Sequence, residues 1–208
     1  MKNNYHNKYF ESINEGLNKT LFFENSKKIK DEEFFKKIKN LLNNLRDSGN
    51  KIYFFGNGAS AAFANHMALD FSKNGKILSR SLSDSALLTA LSNDYSYEKA
   101  WIEYLKIEDV KKDDLIVTIS SSGNSSNIVS LLEYCKMNKL KSLSLSGLKN
   151  NNKSISLSNY SLYVPMKTYG IVECIHQVFL HLFLDDYMNI YEWDRDITQN
   201  MNSQNFQL

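Results

Sequence analysis

Histidines and carboxylates at helical spacing are the first residues in this chain whose arrangement could do chemistry. His66 and Asp70 are four residues apart, so they share one face of a helix about one turn apart. Glu173, His176 and His181 lie in a second, otherwise apolar segment. Either group alone is more often structural, but three of the four histidines lie in these two segments. Because buried groups of this kind are normally paired or bound to metal, the sequence predicts a site for zinc or a similar divalent ion.

A serine-rich loop at 120–125 could bind a phosphate. It reads SSSGNS and joins a predicted strand to a predicted helix. Hydroxyls and free backbone N–H groups at a helix N-terminus bind anions without a cationic side chain, so a phosphate monoester fits. A turn that only caps the helix is an equally good interpretation of the loop by itself. No GK[ST] follows, which excludes a P-loop, and GNGAS at 56–60 lacks the third glycine of a dinucleotide-binding fingerprint.

Alternating strands and helices must position these residues. Apolar segments and turn residues predict a strand with a tight turn over 51–58 and a strand that runs into the serine-rich loop over 111–126. They predict further strands at 76–83, 140–147 and 160–166, and helices at 59–71, 127–139 and about 169–187. This order predicts an α/β fold with a doubly wound parallel sheet flanked by helices. In such a sheet, ligands bind at the carboxyl ends of the strands, and both glycine-containing loops lie there.

The chain ends flank this domain with different patterns. Apolar residues at helical spacing over 5–48, broken near 24–30, predict two amphipathic helices, with Asp31 as N-cap of the second and Gly49 after its end. The resulting domain assignment is an N-terminal helical arm at 1–48 that serves oligomerisation, a core domain at 49–190 and a tail at 191–208. The tail, rich in Asn and Gln, is predicted to be frayed or an oligomer contact.

The composition excludes several function classes. Lys and Arg total 25 against 23 Asp and Glu, and a net charge of +2 argues against a general nucleic-acid binder. No apolar run reaches the roughly 20 residues that span a bilayer, and the N-terminus shows no signal peptide. Cys135 and Cys174 form no CxxC pair, which fits a reducing compartment, and Cys174 is predicted to be buried. The prediction is a cytoplasmic protein with neither nucleic-acid nor membrane partners.

Three motifs together resemble the SIS (sugar isomerase) domain family, and specifically its phosphoheptose isomerase branch. They are GNGAS at 56–60, SNDYSYE at 92–98 and ISSSGNSS at 119–126, followed by the histidines of the last long helix. The resemblance extends to about Tyr187. It implies the SIS fold, a homotetramer with sites at subunit interfaces, and a divalent metal cofactor, with zinc preferred. The implied reaction converts sedoheptulose 7-phosphate to D-glycero-D-manno-heptose 7-phosphate for the heptose of capsule or lipopolysaccharide.

The resemblance also implies roles for individual residues. The family's metal ligands match His66, Asp70, Glu173 and His181, and among these Asp70 and His181 match the candidate acid and base. The residues implied to bind the phosphosugar are Asn57, Ser60, Asp94, Ser120, Ser121, Ser122 and Ser125. His176 is predicted to be a core residue or to lie behind the ligands.

Departures from the family pattern leave alternatives open. Asp70 replaces a glutamate and Glu173 replaces a glutamine, while the aspartate and arginine that precede that glutamine are missing from 168–172. An added carboxylate strengthens the metal prediction, but the changed neighbourhood also fits an isomerase of a different phosphosugar. A non-catalytic SIS module that binds a phosphosugar or a protein is the remaining alternative, and a retained set of four ligands argues against it.

Overall fold

The computed structural model describes residues 4–194, in which seven strands form one mixed sheet flanked by helices. The helices are α1 (Tyr5–Lys19), α2 (Asp31–Ser48), α3 (Ala59–Lys73), α4 (Ser85–Asp94), α5 (Ala100–Ile107), α6 (Ser126–Asn138), α7 (Lys153–Leu157) and α8 (Tyr169–Met188). The strands are β1 (Leu21–Glu24), β2 (Lys27–Ile29), β3 (Ile52–Gly56), β4 (Ser79–Ser81), β5 (Leu115–Ser120), β6 (Lys141–Gly147) and β7 (Tyr160–Val164). Most of the predicted tail, from 195 onward, lies outside the described residues.

The strand order places both glycine-containing loops at one point of the sheet. The order is β2-β1-β7-β6-β5-β3-β4, and the five strands from β7 to β4 are parallel. The chain moves outward from β3 to β4, crosses back to β5 and continues the other way through β6 to β7. The loops after β3 and β5 therefore adjoin at the topological switch point, where doubly wound sheets bind ligands. This confirms the predicted fold class.

Strand β3 shows how the sheet separates two apolar cores. Every residue of the strand is buried. Ile52 and Phe54 pack into the core that α2, α3 and α8 share with the sheet. Tyr53 and Phe55 pack into the core formed by α4, α5 and α6 on the other face. Because side chains alternate along a strand, an unbroken apolar run is the pattern expected of a strand covered on both faces.

A β-hairpin, rather than a break between helices, occupies the region near 24–30. Strands β1 and β2 pair antiparallel around Asn25 and Ser26, whose φ angles are +46° and +67°. Two successive positive φ angles are typical of the type I′ turn, whose twist matches that of a hairpin. β1 also pairs antiparallel with β7, and Phe22 packs with ring centroids 4.9 Å from Phe34 and 5.8 Å from Phe179. The sequence prediction that residues 21 and 22 continue a helical pattern is therefore wrong.

Two local predictions about single residues are also corrected. Asp31 is the first helical residue of α2 and Lys30 is the N-cap, while the Asp31 carboxylate accepts a hydrogen bond of 2.9 Å from the Glu32 N–H. Cys174 is exposed, with its sulfur 4.0 Å from the Tyr9 hydroxyl, because it faces α1 rather than the sheet. The predicted end of α2 is confirmed by Gly49, which follows the helix with a φ of +69°.

Helix α8 is twenty residues long and packs along the sheet. Its buried face carries Val172, Ile175 and Phe179, and polar side chains such as Glu173 and Gln177 lie on its other faces. Within residues 4–194, no helix combines the length and the apolar character that crossing a membrane requires.

Candidate active site

Helices α3 and α8 bring His66, Asp70 and His181 together. One potential ligand atom from each side chain lies within 4.8 Å of the other two. His66 Nε2 is 3.2 Å from Asp70 Oδ2, and the rings of His66 and His181 are 5.3 Å apart between centroids. The two helices follow different strands, so the cluster joins segments separated by more than 100 residues in the chain.

The start of α3 is fixed by a close approach to β3. A Cβ at Gly56 would lie 2.5 Å from the Ser60 carbonyl oxygen, so only glycine lets the first turn of α3 pack directly on the end of the strand. Ser60 is buried in that turn, and its N–H donates a 3.0 Å hydrogen bond to the Asn57 carbonyl. This tight turn sets how far along α3 each side chain lies from the switch point.

The donor set suits a divalent ion. Two imidazoles and one carboxylate are ligands of zinc and related ions. With bonds of about 2.0–2.1 Å, tetrahedral ligand atoms lie about 3.3 Å apart, and the 3.2 Å between His66 Nε2 and Asp70 Oδ2 is close to this separation. Asp70 is partly buried and His66 is more exposed, which leaves the cluster open to solvent on one side. The residues present therefore fit a metal with free coordination positions.

Glu173 does not join this cluster. It lies on α8 eight residues before His181, which corresponds to about 12 Å along a helix axis. The fold thus brings together three of the four ligands that the family resemblance implies, namely His66, Asp70 and His181. More than two helical turns separate Glu173 from His181, and within the described residues the Glu173 carboxylate is not part of the cluster.

Two other residues of α8 lie beside His181. The amide nitrogen Nε2 of Gln177 is 2.8 Å from His181 Nε2, and Gln177 Oε1 is buried with no hydrogen-bond partner among residues 4–194. Partial burial raises the pKa of the Asp185 carboxyl, His181 lowers it, and Asp70 raises it again. Sequence reasoning missed both residues, although each is one helical turn from His181 and could have been found by its i,i+4 spacing.

His176 lies on the opposite side of α8, inside the core. It is fully buried, and its Nε2 is 3.1 Å from the Ser146 carbonyl oxygen, to which it donates. Burial lowers the pKa of its imidazole to about 4, so the ring is neutral at physiological pH. The prediction of a core role for this histidine is confirmed.

In the serine loop after β5, at 120–125, some hydroxyls make no hydrogen bond to another described residue. Ser120 and Ser121 are buried, and the Ser121 hydroxyl has no hydrogen-bond partner among the described residues. Ser122 Oγ accepts a 3.3 Å hydrogen bond from the Asn124 N–H. Ser125 is the N-cap residue of α6 but its side chain makes no capping bond. Gly123 has a φ of +61°, which lets the loop turn back toward the helix start.

A pair of asparagines connects the start of α6, directly after the serine loop, to the loop after β3. Asn57 and Asn127 donate to each other through their side-chain amides at 3.0 and 2.9 Å. The Tyr97 hydroxyl also donates to Asn57 Oδ1 at 2.7 Å. Asp94, the residue predicted from the same motif to bind substrate, is exposed at the end of α4 and accepts a 3.0 Å bond from its neighbour Asn93. Tyr97 is therefore the contact that this motif makes with the site, and the sequence did not indicate it.

Comparison with known proteins agrees with this geometry. The family model described as the SIS domain matches residues 9–147. Phosphoheptose isomerase from Helicobacter pylori is 32% identical over 160 residues, which cover 74% of this chain and 82% of that protein. Phosphoheptose isomerase 2 from Campylobacter jejuni is 33% identical over 163 residues, covering 74% and 80%.

A solved structure shows the same fold. Phosphoheptose isomerase from Francisella tularensis superposes with a TM-score of 0.75 at 21% identity, covering 91% of this chain and 99% of that one. The matched domain, the relatives and the fold all agree with the motifs in the two loops. This chain therefore belongs to the SIS domain family, in its phosphoheptose isomerase branch.

Proposed function

We propose that this chain is a zinc-dependent isomerase that interconverts sedoheptulose 7-phosphate and D-glycero-D-manno-heptose 7-phosphate. Membership of this branch makes the chain a phosphosugar isomerase. The observation that carries the finer proposal is the convergence of His66, Asp70 and His181 on one point between α3 and α8. The heptose product would supply surface polysaccharide, either capsule or lipopolysaccharide.

The serine loop and its partner loop are proposed to hold the substrate. Hydroxyls of Ser120, Ser121, Ser122 and Ser125, with backbone N–H groups at the start of α6, would bind the phosphate. The uncommitted hydroxyls of Ser121 and Ser125 support this assignment. In the same proposal Asn57, Ser60 and Asp94 contact the sugar. Binding energy at the phosphate, far from the reacting carbons, would fix their orientation.

Asp70 and His181 are proposed to move the proton. Aldose–ketose isomerisation takes a proton from the carbon beside the carbonyl and returns a proton to the neighbouring carbon, so it needs an acid and a base within reach of both atoms. A divalent ion, once bound, stabilises the negative charge that develops on the substrate oxygen. His66 would hold that ion from the exposed side, with Asp70 and His181 close enough to serve both as ligands and in proton transfer.

Assembly into a homotetramer with sites at subunit interfaces is part of the proposal. Val178 and Leu182 on α8 are 42% and 37% exposed, and they line a groove of about 970 Å³ beside α1 and the hairpin. An apolar groove of this size supports burial against another subunit, with the arm at 1–48 as the contact. The two unpaired cysteines fit a cytoplasmic location. Light scattering on the purified protein measures the subunit number directly.

Turnover of defined phosphosugars tests the function. The zinc-loaded protein is incubated with sedoheptulose 7-phosphate and, separately, with ketose phosphates of five and six carbons. We expect the seven-carbon substrate to be preferred, and His181→Ala to lose about 10²–10⁴-fold in kcat. His6→Ala is the control for loss of an imidazole, because His6 is exposed on α1 and is not part of the cluster. Light scattering verifies that this variant keeps the subunit number of the unaltered protein.

Each alternative predicts a different result of this assay. Preference for a shorter sugar phosphate would identify an isomerase of another substrate. Zinc binding without turnover of any phosphosugar would identify a binding module. Activity of His181→Ala equal to that of the unaltered protein would contradict the assignment of proton transfer.

A further inference from the structure

We propose that a pocket at the amino ends of β6 and β7 binds a nucleoside diphosphate. Three lysines line this pocket, termed the lysine pocket here: Lys136 and Lys139 at the end of α6, and Lys141 at the start of β6. Strands β5, β6 and β7 are parallel, so their amino ends lie at the edge of the sheet opposite to the serine loop. The lysine pocket is therefore a separate site from the one proposed to bind the phosphosugar.

The charges around the lysine pocket favour an anion. The pocket has a volume of about 300 Å³, and no aspartate or glutamate among the described residues lines it. The Lys136 ammonium donates a 3.4 Å bond to the Ser156 carbonyl, and Lys141 pairs at 3.0 Å with Asp113. Both members of that ion pair are exposed, so the pair contributes little and leaves Lys141 available to a ligand. Three positive charges around one concave surface attract an anion that carries more than one negative charge.

Hydrogen bonds hold the opposite wall of the lysine pocket in place. This wall is formed by the turn of the hairpin and by Asn159, directly before β7. The Asn25 N–H donates to the Asn159 carbonyl at 2.7 Å. The side-chain oxygen of Asn159 in turn accepts a 3.0 Å bond from the Ser142 N–H. A wall that is already ordered reduces the entropy that a ligand must lose protein groups to when it binds.

A second pocket continues from the first and has a different character. It has a volume of about 440 Å³ and is termed the asparagine pocket here. It shares three residues with the lysine pocket, namely Asn25, Lys141 and Asn159. Its other lining residues are Lys37, Asn40, Leu41, Asn44 and Tyr160. The Lys37 ammonium lies 3.2 Å from Glu24 and 3.5 Å from Glu33, so its charge is compensated.

The two pockets together match a ligand with one anionic end and one neutral end. Three ammonium groups suit the two to three negative charges of a diphosphate. Amide side chains such as those of Asn40 and Asn44 both donate and accept hydrogen bonds, which suits the edge of a nucleobase. Tyr160 adds an aromatic ring, on which bases commonly stack. Volumes of this size are typical of small-molecule sites. A nucleoside diphosphate combines these features in one molecule.

Calorimetric titration of the full-length protein tests the lysine pocket. The probes are adenosine diphosphate, pyrophosphate and adenosine, in a buffer without divalent ions. We expect adenosine diphosphate to bind most tightly, because it alone occupies both pockets. Lys136→Gln and Lys139→Gln should each weaken binding of both phosphate probes about 5-fold, the cost of one charge about 4 Å away in water. Lys112→Gln is the matched control and should leave both affinities unchanged, since Lys112 is exposed before β5 and lines neither pocket.

A second pair of variants tests the asparagine pocket. Asn44→Ala removes a hydrogen-bonding amide and should weaken binding of adenosine diphosphate about 5-fold, while the affinity for pyrophosphate stays the same. Asn43→Ala is the control, because Asn43 is exposed beside it on α2 and does not line the pocket. Pyrophosphate binding as tight as that of adenosine diphosphate would contradict the assignment of a nucleoside to this pocket.

The remaining outcomes separate this site from the serine loop and from the proposed function. Ser121→Ala should leave the affinity for adenosine diphosphate unchanged. Weakened binding in Ser121→Ala, with full affinity in both lysine variants, would overturn the inference and assign the diphosphate to the serine loop. Absence of binding to the unaltered protein would also overturn it. The proposed isomerase function is measured by turnover, so it stands or fails independently of these titrations.

Discussion

Lowering the pH from 7.5 to 5 should destabilise this protein through His176, which is folded in its neutral form. Nε2 of the ring donates to the Ser146 carbonyl at 3.1 Å, so Nδ1 carries no proton. Nδ1 is buried and has no partner among the described residues. Protonation there would place a charge in the apolar core with no acceptor to receive it, which is why burial lowers the pKa of the imidazole from 6.5 to about 4.

The sign and size of the effect follow from the difference in pKa between folded and unfolded chains. Below pH 6.5 the unfolded chain binds a proton at this histidine that the folded chain does not, so the free energy of unfolding decreases as pH falls. At about 1.4 kcal/mol per pKa unit, the shift from 6.5 to about 4 amounts to about 3.4 kcal/mol once the pH is below 4. About 2 kcal/mol of this is lost by pH 5, and the stability is fully retained above pH 6.5.

Urea unfolding of the original protein and of His176→Asn isolates this contribution. Asparagine removes the titrating ring but keeps an amide that can donate to the carbonyl. Both proteins are measured at pH 7.5 and 5, at one protein concentration and with a chelator present, so that metal release and the other histidines contribute equally. The original protein should lose about 2 kcal/mol more than the variant between the two pH values. Equal losses in the two proteins would refute the argument that His176 is folded in its neutral form.

Three further predictions concern the loops and the thiols. Tyr97→Phe removes the hydroxyl bond to Asn57, worth about 1 kcal/mol, and should raise KM for the phosphosugar about 5-fold with little change in kcat; an unchanged KM would exclude a role in ordering the loop. Gly123→Ala forces a side chain onto a φ of +61° and makes its methyl group clash with the Asn152 amide oxygen. That strain should weaken binding of inorganic phosphate about 10-fold in calorimetry, and full affinity would show that the loop does not bind phosphate. A thiol reagent should modify Cys174 in the native protein but Cys135 only after unfolding, because Cys135 is buried and burial raises its pKa to about 12; two equivalents before unfolding would contradict this.

The central sheet could be predicted because its signals are local. The strands β3 and β5 are continuous apolar runs that end in glycine- or serine-rich loops, and both are buried along their whole length. The sequence predicts both loops at the carboxyl ends of strands, and Asn57 in the first loop pairs there with Asn127, in the first turn of the helix after the second loop. Periodicity and turn residues within about ten positions carry this information, so no distant contact had to be known.

The hairpin near 24–30 could not be predicted because its stability is not local. β2 has three residues and β1 has four, too short for a clear alternation of polar and apolar side chains. What holds β1 is its pairing with β7, in which Phe22 lies opposite Leu162, 140 residues away. A two-stranded hairpin alone is marginal in water, so the sheet edge that stabilises it is set by the tertiary fold.

The cluster of His66, Asp70 and His181 could be predicted only in part. Helical spacing gives the face of a helix on which a side chain lies, but it does not give the position of that side chain relative to a neighbouring helix. Helices α3 and α8 both begin at the carboxyl ends of parallel strands. His66 is seven residues after the start of α3, and Gln177 is eight after the start of α8. Asp70 and His181 are eleven and twelve residues along their helices, whereas Glu173 is only four. At about 1.5 Å per residue, His66 lies about 10 Å and Asp70 about 16 Å along α3, while Glu173 lies about 6 Å and His181 about 18 Å along α8. Spacing within one helix does not give these positions relative to the other helix, because they depend on where the sheet starts each helix.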